Sequence, residues 1–463
     1  MFCYAYVHQH LGWNQNSRLD LLRGLFLHHT FRIDADHENT GDKSIHNGHY
    51  YSDKAPGIVL LAAPAYAVAL RVINSFEIPV DSPRGWLIQS WITTAGSVGI
   101  ITALGGVAMF AFLCRFVGQK YSFPTALAVF LGSAPFPYAT MLFSHAAVIG
   151  LLCIALWAIA DETFLARMTR GSVFLSPTGG EVCGEGARWV RRYLLAGLCC
   201  GLAISSEYTA AIAAGGVLAL GFLSGFKRGC ILALGAMPPL LLIPAYNWAC
   251  FGSPLAFGYH NLALPEFQEM NKGLFGITFP PKLSSAYLIL ISPERGLFFW
   301  TPFFLLAFFG LNRLFNACEP LFWCSVVVAT LQVICISGYY MPSGGSALGP
   351  RHLAPASPFL TLCAALGFAS NPRLGATLGY YSLMLTGLGT VTDAMPPGAI
   401  SNVLEFYIGR LSGQQSAYNL WTQVGIPVGL SLLLATVGIF GPFIWACRQD
   451  ICSGWSTSPP STS

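Results

Sequence analysis

Long apolar stretches make up most of this chain, and one polar segment, residues 14–57, precedes nearly all of them. An apolar stretch of about 18 residues or more is long enough to cross the hydrocarbon core of a membrane as a helix. The pattern predicts an all-α, polytopic transmembrane helical bundle of about 11–12 spans. The clearest apolar stretches are 55–73, 86–116, 123–143, 146–165, 193–226 (two helices broken at Ser205–Tyr208), 230–250, 297–311, 321–340, 354–370, 374–395 and 424–446.

The apolar pattern also divides the chain into regions. Residues 1–13 are aromatic but too short to span a membrane, and we expect a remnant of a truncated first transmembrane helix there. Residues 14–57 are predicted to be a large extracytoplasmic loop that carries the catalytic residues. Residues 58–447 are predicted to be a multi-span membrane domain, with outer loops at 251–296, 341–353 and 396–422. The Ser- and Pro-rich tail, 448–463, is predicted to be disordered and cytoplasmic.

Composition agrees with a membrane protein, because 54% of the residues are hydrophobic and only 10% are charged. A soluble domain of this length needs a more polar surface. The formal net charge of +4 is small and spread along the chain, so nucleic acid is not an expected partner. The expected location is a bacterial-type inner or plasma membrane.

Arginine and lysine set the expected orientation. One set of alternate loops carries about twice as many of them as the other set, and the richer set is cytoplasmic. The polar segment shares the outer face only if residues 55–73 do not fully cross. Pro56, Pro64 and Arg71 favour a re-entrant or interfacial helix there; if the helix crosses, the polar segment faces the cytoplasm.

Two carboxylates stand close together in the polar segment. Asp34 and Asp36 are separated by one residue and followed by His37 and Glu38. Such a set suits a divalent cation, Mg²⁺ or Mn²⁺, or a carboxyl that acts as a base. The alternative is an acidic turn exposed to solvent.

Lys54 is the last polar side chain before the first apolar stretch, in the sequence Tyr50-Tyr51-Ser52-Asp53-Lys54-Ala55-Pro56. A cation at this depth is placed to pair with the phosphate of a membrane lipid. The alternative is a lysine that only anchors the helix. On the same predicted face lies Arg351, a second phosphate-binding candidate behind a glycine-rich stretch. Further candidates there or in the loop are His145, Glu207 and Asp42.

Two of these elements resemble motifs of the GT-C superfamily of membrane glycosyltransferases, family 39 type, which includes protein O-mannosyltransferases and the lipid A aminoarabinose transferase. Tyr50 to Pro56 is similar to a Tyr-Phe-Glu-Lys-Pro-Pro sequence that ends the family's first outer loop. Gly349-Pro350-Arg351-His352-Leu353-Ala354-Pro355 is similar to a later Gly-Pro-Arg-Tyr/His-Leu-x-Pro element.

The resemblance implies an outward-facing active site that transfers a sugar, with inversion, from a polyprenyl-phosphate donor to a lipid, glycan or protein acceptor. Lys54 would bind the donor phosphate. The family's loop opens with a catalytic aspartate, and Asn14 stands at that position here. The base is then expected among Asp34, Asp36 and Asp53, or the chemistry has been lost. A transporter or flippase and a non-catalytic lipid-binding protein are the alternatives.

Overall fold

The computed structural model describes residues 1–168, 185–398, 400, 402–413 and 415–453. Within these ranges the chain is a helical bundle with two small sheets. The first-half helices are α1 Phe2–Tyr6, α2 Trp13–Leu27, α3 Gly57–Ser75, α4 Pro83–Thr94, α5 Ile100–Phe130, α6 Pro135–Ala139, α7 Ser144–Ile159, α8 Glu162–Met168, α9 Glu185–Ser206, α10 Ala211–Ser224 and α11 Phe226–Phe251. The second-half helices are α12 Leu283–Leu290, α13 Leu297–Trp300, α14 Leu306–Ala317, α15 Glu319–Ser337, α16 Ser357–Ser370, α17 Pro372–Thr392, α18 Val403–Ser412, α19 Leu420–Gln423 and α20 Val428–Ser453. The strands are β1 Val7–His8, β2 Lys43–His46, β3 His49–Ser52 and β4 Tyr418–Asn419.

Six of the described helical stretches are long and apolar enough to cross a membrane. A bent pair, α7 and α8, meets at 81° and makes a seventh if it is one span. The sequence predicts about 11–12 spans. Part of the difference is that two apolar helices, Tyr208–Ser224 and Pro302–Ala317, are each shorter than a full crossing. The predicted class, an all-α polytopic membrane protein, is confirmed.

Helix α7 lies at the centre of the bundle, packed between α5 and α9. Its backbone meets that of α5 at two glycines, because a Cβ on Gly105 would lie 2.2 Å from the Cα of Gly150. Helices α9 and α11 meet in the same way, since a Cβ on Gly197 would lie 1.9 Å from the carbonyl oxygen of Leu232. Small residues that allow such contact are typical of helix packing inside a membrane.

The polar segment is folded rather than an irregular loop. It contains α2 and an antiparallel hairpin in which Lys43 pairs with Ser52 and His46 pairs with His49. Asn47 and Gly48 form the turn with φ values of +51° and +79°, the geometry that an Asn-Gly hairpin turn favours. The register places the residues just beyond the two strands, Asp42 and Asp53, side by side.

Both ends of α3 lie on the side of the polar segment. At its start, Lys54 contacts Asp42, with 3.1 Å between the amine and the carboxylate. Just beyond its end, Asp81 forms an ion pair with Arg23 of α2. In its middle, the Tyr66 hydroxyl donates to Gln89, which also accepts from Arg23. Helix α3 is one of the described helices long and apolar enough to cross a membrane, and the re-entrant or interfacial arrangement stays a prediction.

Regular secondary structure is present at both ends of the described chain. Residues 1–13 contain the five-residue helix α1 and the strand β1, which pairs antiparallel with β4. Helix α20 continues to Ser453, into the predicted tail, and the disorder and cytoplasmic position of the tail stay predictions. The rest of the predicted tail, 454–463, lies outside the described residues.

Candidate active site

A cavity of about 890 Å³ lies where the polar segment meets the ends of several bundle helices. It is lined from the polar segment, the start of α7, the residues between α9 and α10, and the loops around 257–277 and 339–352. Candidates from distant parts of the sequence converge on it. They are Asp42, Asp53, Lys54, His145, Glu207 and Arg351.

Lys54 lies between two carboxylates. Its amine is 3.1 Å from Asp42 and 3.1 Å from Asp53. The Asp53 side chain is 1% exposed, whereas that of Asp42 is 14% exposed. The hairpin register produces this arrangement, because it sets Asp42 beside the Asp53–Lys54 pair. Asp42 is therefore the carboxylate of the two that a molecule in the cavity reaches more easily.

Burial raises the pKa of Asp53 from its ordinary value of 3.8 to about 6. Lys54 opposes this shift because its positive charge stabilises the carboxylate. One carboxylate oxygen of Asp53, Oδ1, is buried and has no hydrogen-bond partner. The contact with Lys54 is thus the main support for the ionised form of this group.

Arg18, which the sequence analysis does not single out, is a buried cation that lines the same cavity. Its guanidinium donates to the Ser144 hydroxyl at 3.3 Å. Ser144 donates to Glu207 at 2.9 Å, and the same carboxylate oxygen is 3.6 Å from His145 Nδ1. A polar relay therefore connects α2 to α7 and to the end of α9. The sequence does contain a signal for Arg18. It follows Asn14 by four residues, a spacing that puts the two side chains on one face of a helix.

Arg351 is positioned by packing. Its guanidinium lies 5.3 Å from the ring centre of Phe143, and its Nε is buried without a hydrogen-bond partner. Gly344, with φ of +74°, lies against it, and a Cβ there would be 2.6 Å from Nε. The neighbouring Gly345 carbonyl accepts from the buried Arg295 at 3.1 Å. The glycine-rich stretch thus gives the arginine the space that a side chain would take.

Asn14 lines the cavity, at the position where the family resemblance places a catalytic aspartate. Its backbone and side-chain oxygens both accept from Arg18. An amide cannot remove a proton from an acceptor hydroxyl as a carboxylate does. A base in this cavity must therefore come from another residue.

Asp34 and Asp36 lie outside this cavity, in a separate pocket. Asp34 pairs with His49 at 2.8 Å and accepts from the Tyr50 N–H at 2.7 Å. Asp36 pairs with Arg23 at 2.8 Å. Throughout the described part of the chain, no group of three or more His, Cys, Asp or Glu side chains is arranged to hold a metal ion. The residues do not fit the Mg²⁺ or Mn²⁺ site expected at Asp34 and Asp36.

Asp20, also in α2, is fully buried. It accepts a hydrogen bond from Asn39 at 3.1 Å, while its Oδ2 has no partner. Burial is the main cause that raises the pKa of Asp20 to about 8. An unfolded chain releases this proton near pH 4, whereas the folded protein keeps it up to about pH 8. Ionisation of Asp20 between these two pH values therefore favours the unfolded state.

We expect Asp20→Asn to stabilise the protein, by an amount that grows as the pH rises. Only below its ordinary pKa of 3.8 is Asp20 protonated in both states, so the difference in melting temperature between the two proteins should become small toward the acidic end of the range. At about pH 8 the variant should melt roughly 2–4 °C higher. Thermal unfolding in detergent from about pH 4.5 to about pH 8 measures this, with Glu269→Gln as an exposed control. A difference that does not change with pH would contradict the assignment.

No protein-family model and no curated protein matches the chain. Among solved structures, ArnT from Cupriavidus metallidurans bound to undecaprenyl phosphate is similar, with a TM-score of 0.50 and 14% identity over 96% of this chain and 74% of ArnT. The apo state of ArnT gives 0.47 and 15% over the same shares. The Archaeoglobus fulgidus oligosaccharyltransferase in complex with Zn and sulfate gives 0.42 and 12%, over 87% of this chain and 53% of that protein.

The similarity to lipid-bound ArnT extends over nearly the whole chain, although few residues are identical. At this identity the likeness concerns the path of the backbone and not the chemistry of the site. The chain is an integral, multi-pass membrane protein whose backbone fold is similar to that of ArnT.

Proposed function

We propose that this chain is a membrane glycosyltransferase that moves a sugar from a polyprenyl-phosphate donor to an acceptor outside the cytoplasm. The observation that carries the proposal is one cavity that contains cations and carboxylates side by side at the edge of the bundle. The cations are Lys54, Arg18 and Arg351, and the carboxylates are Asp42, Asp53 and Glu207. The fold supports it, because ArnT with the same fold has been solved with undecaprenyl phosphate bound.

The donor's phosphate would bind between Lys54 and Arg351. Two of the three N–H groups of Lys54 face Asp42 and Asp53, which leaves one for a phosphate oxygen. Arg351 offers a guanidinium whose Nε has no partner within the protein. The cavity wall beside them is apolar, with Ile212 and Ile336 among its residues, and suits the start of a hydrocarbon chain.

The transfer itself needs a base and a stabilised leaving group. We assign the base to Asp42, the more exposed of the two carboxylates at Lys54. It would take the proton of the acceptor hydroxyl while that oxygen attacks the anomeric carbon and inverts it. The bond from carbon to phosphate oxygen breaks, and Lys54 and Arg351 stabilise the negative charge that develops on the departing polyprenyl phosphate. Buried Asp53 holds Lys54 in place.

Binding of undecaprenyl phosphate to the purified protein in lipid nanodiscs tests this proposal. We expect undecaprenyl phosphate to bind at least about tenfold more tightly than undecaprenol, which lacks the phosphate. Arg351→Met should weaken phosphate binding roughly tenfold. Arg373→Met, which removes an exposed arginine far from the cavity lining, should not. Equal affinity for both lipids would contradict the proposal.

A non-catalytic lipid-binding protein is the second candidate, and Asn14 favours it. A descendant that lost its catalytic aspartate would keep cations able to bind the phosphate, and Lys54 and Arg351 line this cavity. The two candidates differ in turnover. An enzyme releases undecaprenyl phosphate from a panel of undecaprenyl-phosphate-linked pentoses and hexoses when an acceptor is present, whereas a binding protein retains the donor intact.

A further inference from the structure

A second pocket, of about 610 Å³, lies on the other side of α2 from the cavity described above. Its polar wall comes from α2 and from the stretch between α2 and the hairpin, and its larger apolar side chains are Leu11 and Trp86. The polar residues that line it are Asn16, Asp34, Asp36, His37, Glu38 and Asn39. No step of the proposed transfer uses them.

Helix α2 separates the two spaces. Asn14 and Arg18, four residues apart, line the first cavity. Asn16, two residues after Asn14, lines the second pocket. Two residues correspond to about 200° around a helix, so these two asparagines face nearly opposite directions. The helix is one wall shared by two chemically different sites.

The second pocket has hydrogen-bond acceptors that the protein leaves without donors. Asn16 is 8% exposed, and its side-chain oxygen is buried with no hydrogen-bond partner. The side-chain oxygen of Asn39 is also buried and unpartnered. Leaving a buried acceptor unpaired is unfavourable. Two such oxygens at one pocket indicate a ligand that brings hydrogen-bond donors.

The side chains that line the second pocket indicate which class of ligand it would bind. The unpartnered groups are neutral amide oxygens, and the carboxylate of Asp36 is already paired with Arg23 at 2.8 Å. Hydroxyl groups donate to both amide and carboxylate oxygens. The Arg23 guanidinium covers one face of Trp86, 4.3 Å from the ring centre, and the apolar face of a sugar ring would pack on the other face. The volume lies within the range of small-molecule sites.

We propose that this pocket is a carbohydrate-binding site, in which Asn16 and Asn39 accept hydrogen bonds from sugar hydroxyls and Trp86 contacts the ring. That the bound sugar belongs to the acceptor of the transfer rests on the proposed function; the binding itself does not. Most of the lining comes from the polar segment, which we expect to lie outside the membrane, so a water-soluble glycan would reach the site without entering the membrane.

The test is binding of uncharged sugars to the full-length protein in nanodiscs, followed by ligand-observed NMR. The probes are glucose, galactose, N-acetylglucosamine and lactose, with ethanolamine as a charged molecule that has no ring. We expect at least one sugar to bind with millimolar affinity. Asn16→Leu and, separately, Glu38→Gln should weaken this binding roughly five- to tenfold. Glu269→Gln, outside both pockets, should leave it unchanged.

Undecaprenyl phosphate affinity is measured on the same samples and separates this proposal from the proposed function. Unchanged lipid affinity in Asn16→Leu shows that the variant is folded, and Glu38→Gln tests the site from an exposed position. Sugar binding that is lost in both variants supports the pocket even if undecaprenyl phosphate does not bind the wild type. Absence of binding for every sugar, binding of ethanolamine alone, or sugar binding that both variants retain would overturn the proposal.

Discussion

Asp42→Asn is expected to lower the rate of sugar transfer by about 10²–10⁴-fold, the contribution typical of a general base. The amide cannot take the proton of the acceptor hydroxyl, but it still fills the place beside Lys54. Affinity for undecaprenyl phosphate should therefore stay within about threefold of the wild type, since the phosphate-binding cations are unchanged. The measurement is release of undecaprenyl phosphate from a lipid-linked sugar, a product common to every donor of this kind.

Asp36→Asn is the informative comparison for this prediction. Asp36 pairs with Arg23 and lies in the second pocket, so its replacement should leave the transfer step itself intact at saturating acceptor. The opposite result is that Asp36→Asn abolishes turnover while Asp42→Asn retains it. This result would show that the base is in the second pocket. Loss of donor binding in Asp42→Asn would instead indicate that this carboxylate only holds Lys54.

Lys54→Met is expected to weaken the binding of undecaprenyl phosphate about 30-fold or more, the largest loss from a single side chain in the cavity. The substitution removes a cation that lies 3.1 Å from each of two carboxylates. Without it, Asp42 places its negative charge next to the phosphate, whereas buried Asp53 loses the main support for its ionised form. Repulsion therefore adds to the lost attraction. Titration of the lipid into nanodiscs containing the variant measures the change.

Lys54→Arg and Lys282→Met complete that experiment. The arginine keeps the positive charge and should restore most of the affinity, which separates a charge effect from a packing defect. Lys282 is exposed and outside the cavity lining, so its replacement controls for the loss of a positive charge elsewhere. Phosphate affinity that is equal in wild type and Lys54→Met would exclude Lys54 from donor binding.

Several residues that the sequence singles out line one cavity in the structure. Lys54 and Arg351 can be recognised from the local sequence. Each is a cation that follows a motif of small or aromatic residues and precedes an apolar stretch. The structure brings both to one cavity with His145 and Glu207. The family resemblance adds the order of these elements along the chain, which spacing alone does not supply.

Other parts of the site depend on tertiary structure and are not visible in the sequence. Asp34 and Asp36 have the local pattern of a catalytic or metal-binding pair, yet their partners are His49 and Arg23. Arg18 is an ordinary helical arginine until the fold buries it beside Ser144. Composition predicts a membrane bundle, but it does not predict the ion pair between Arg23 and Asp81 beyond the far end of α3.

The hairpin of β2 and β3 has a consequence for how relatives of this chain would differ. Asp42 and Lys54 are twelve residues apart in the sequence (54 minus 42), but the paired strands bring them to 3.1 Å. Adding one residue to each strand would lengthen the hairpin at its Asn-Gly turn and leave its base unchanged. Homologous proteins are thus free to vary this spacing by pairs of residues while keeping the same charges in contact. We expect a comparison that assumes a fixed interval between the two residues to overlook such homologues, and one that compares three-dimensional positions to find them.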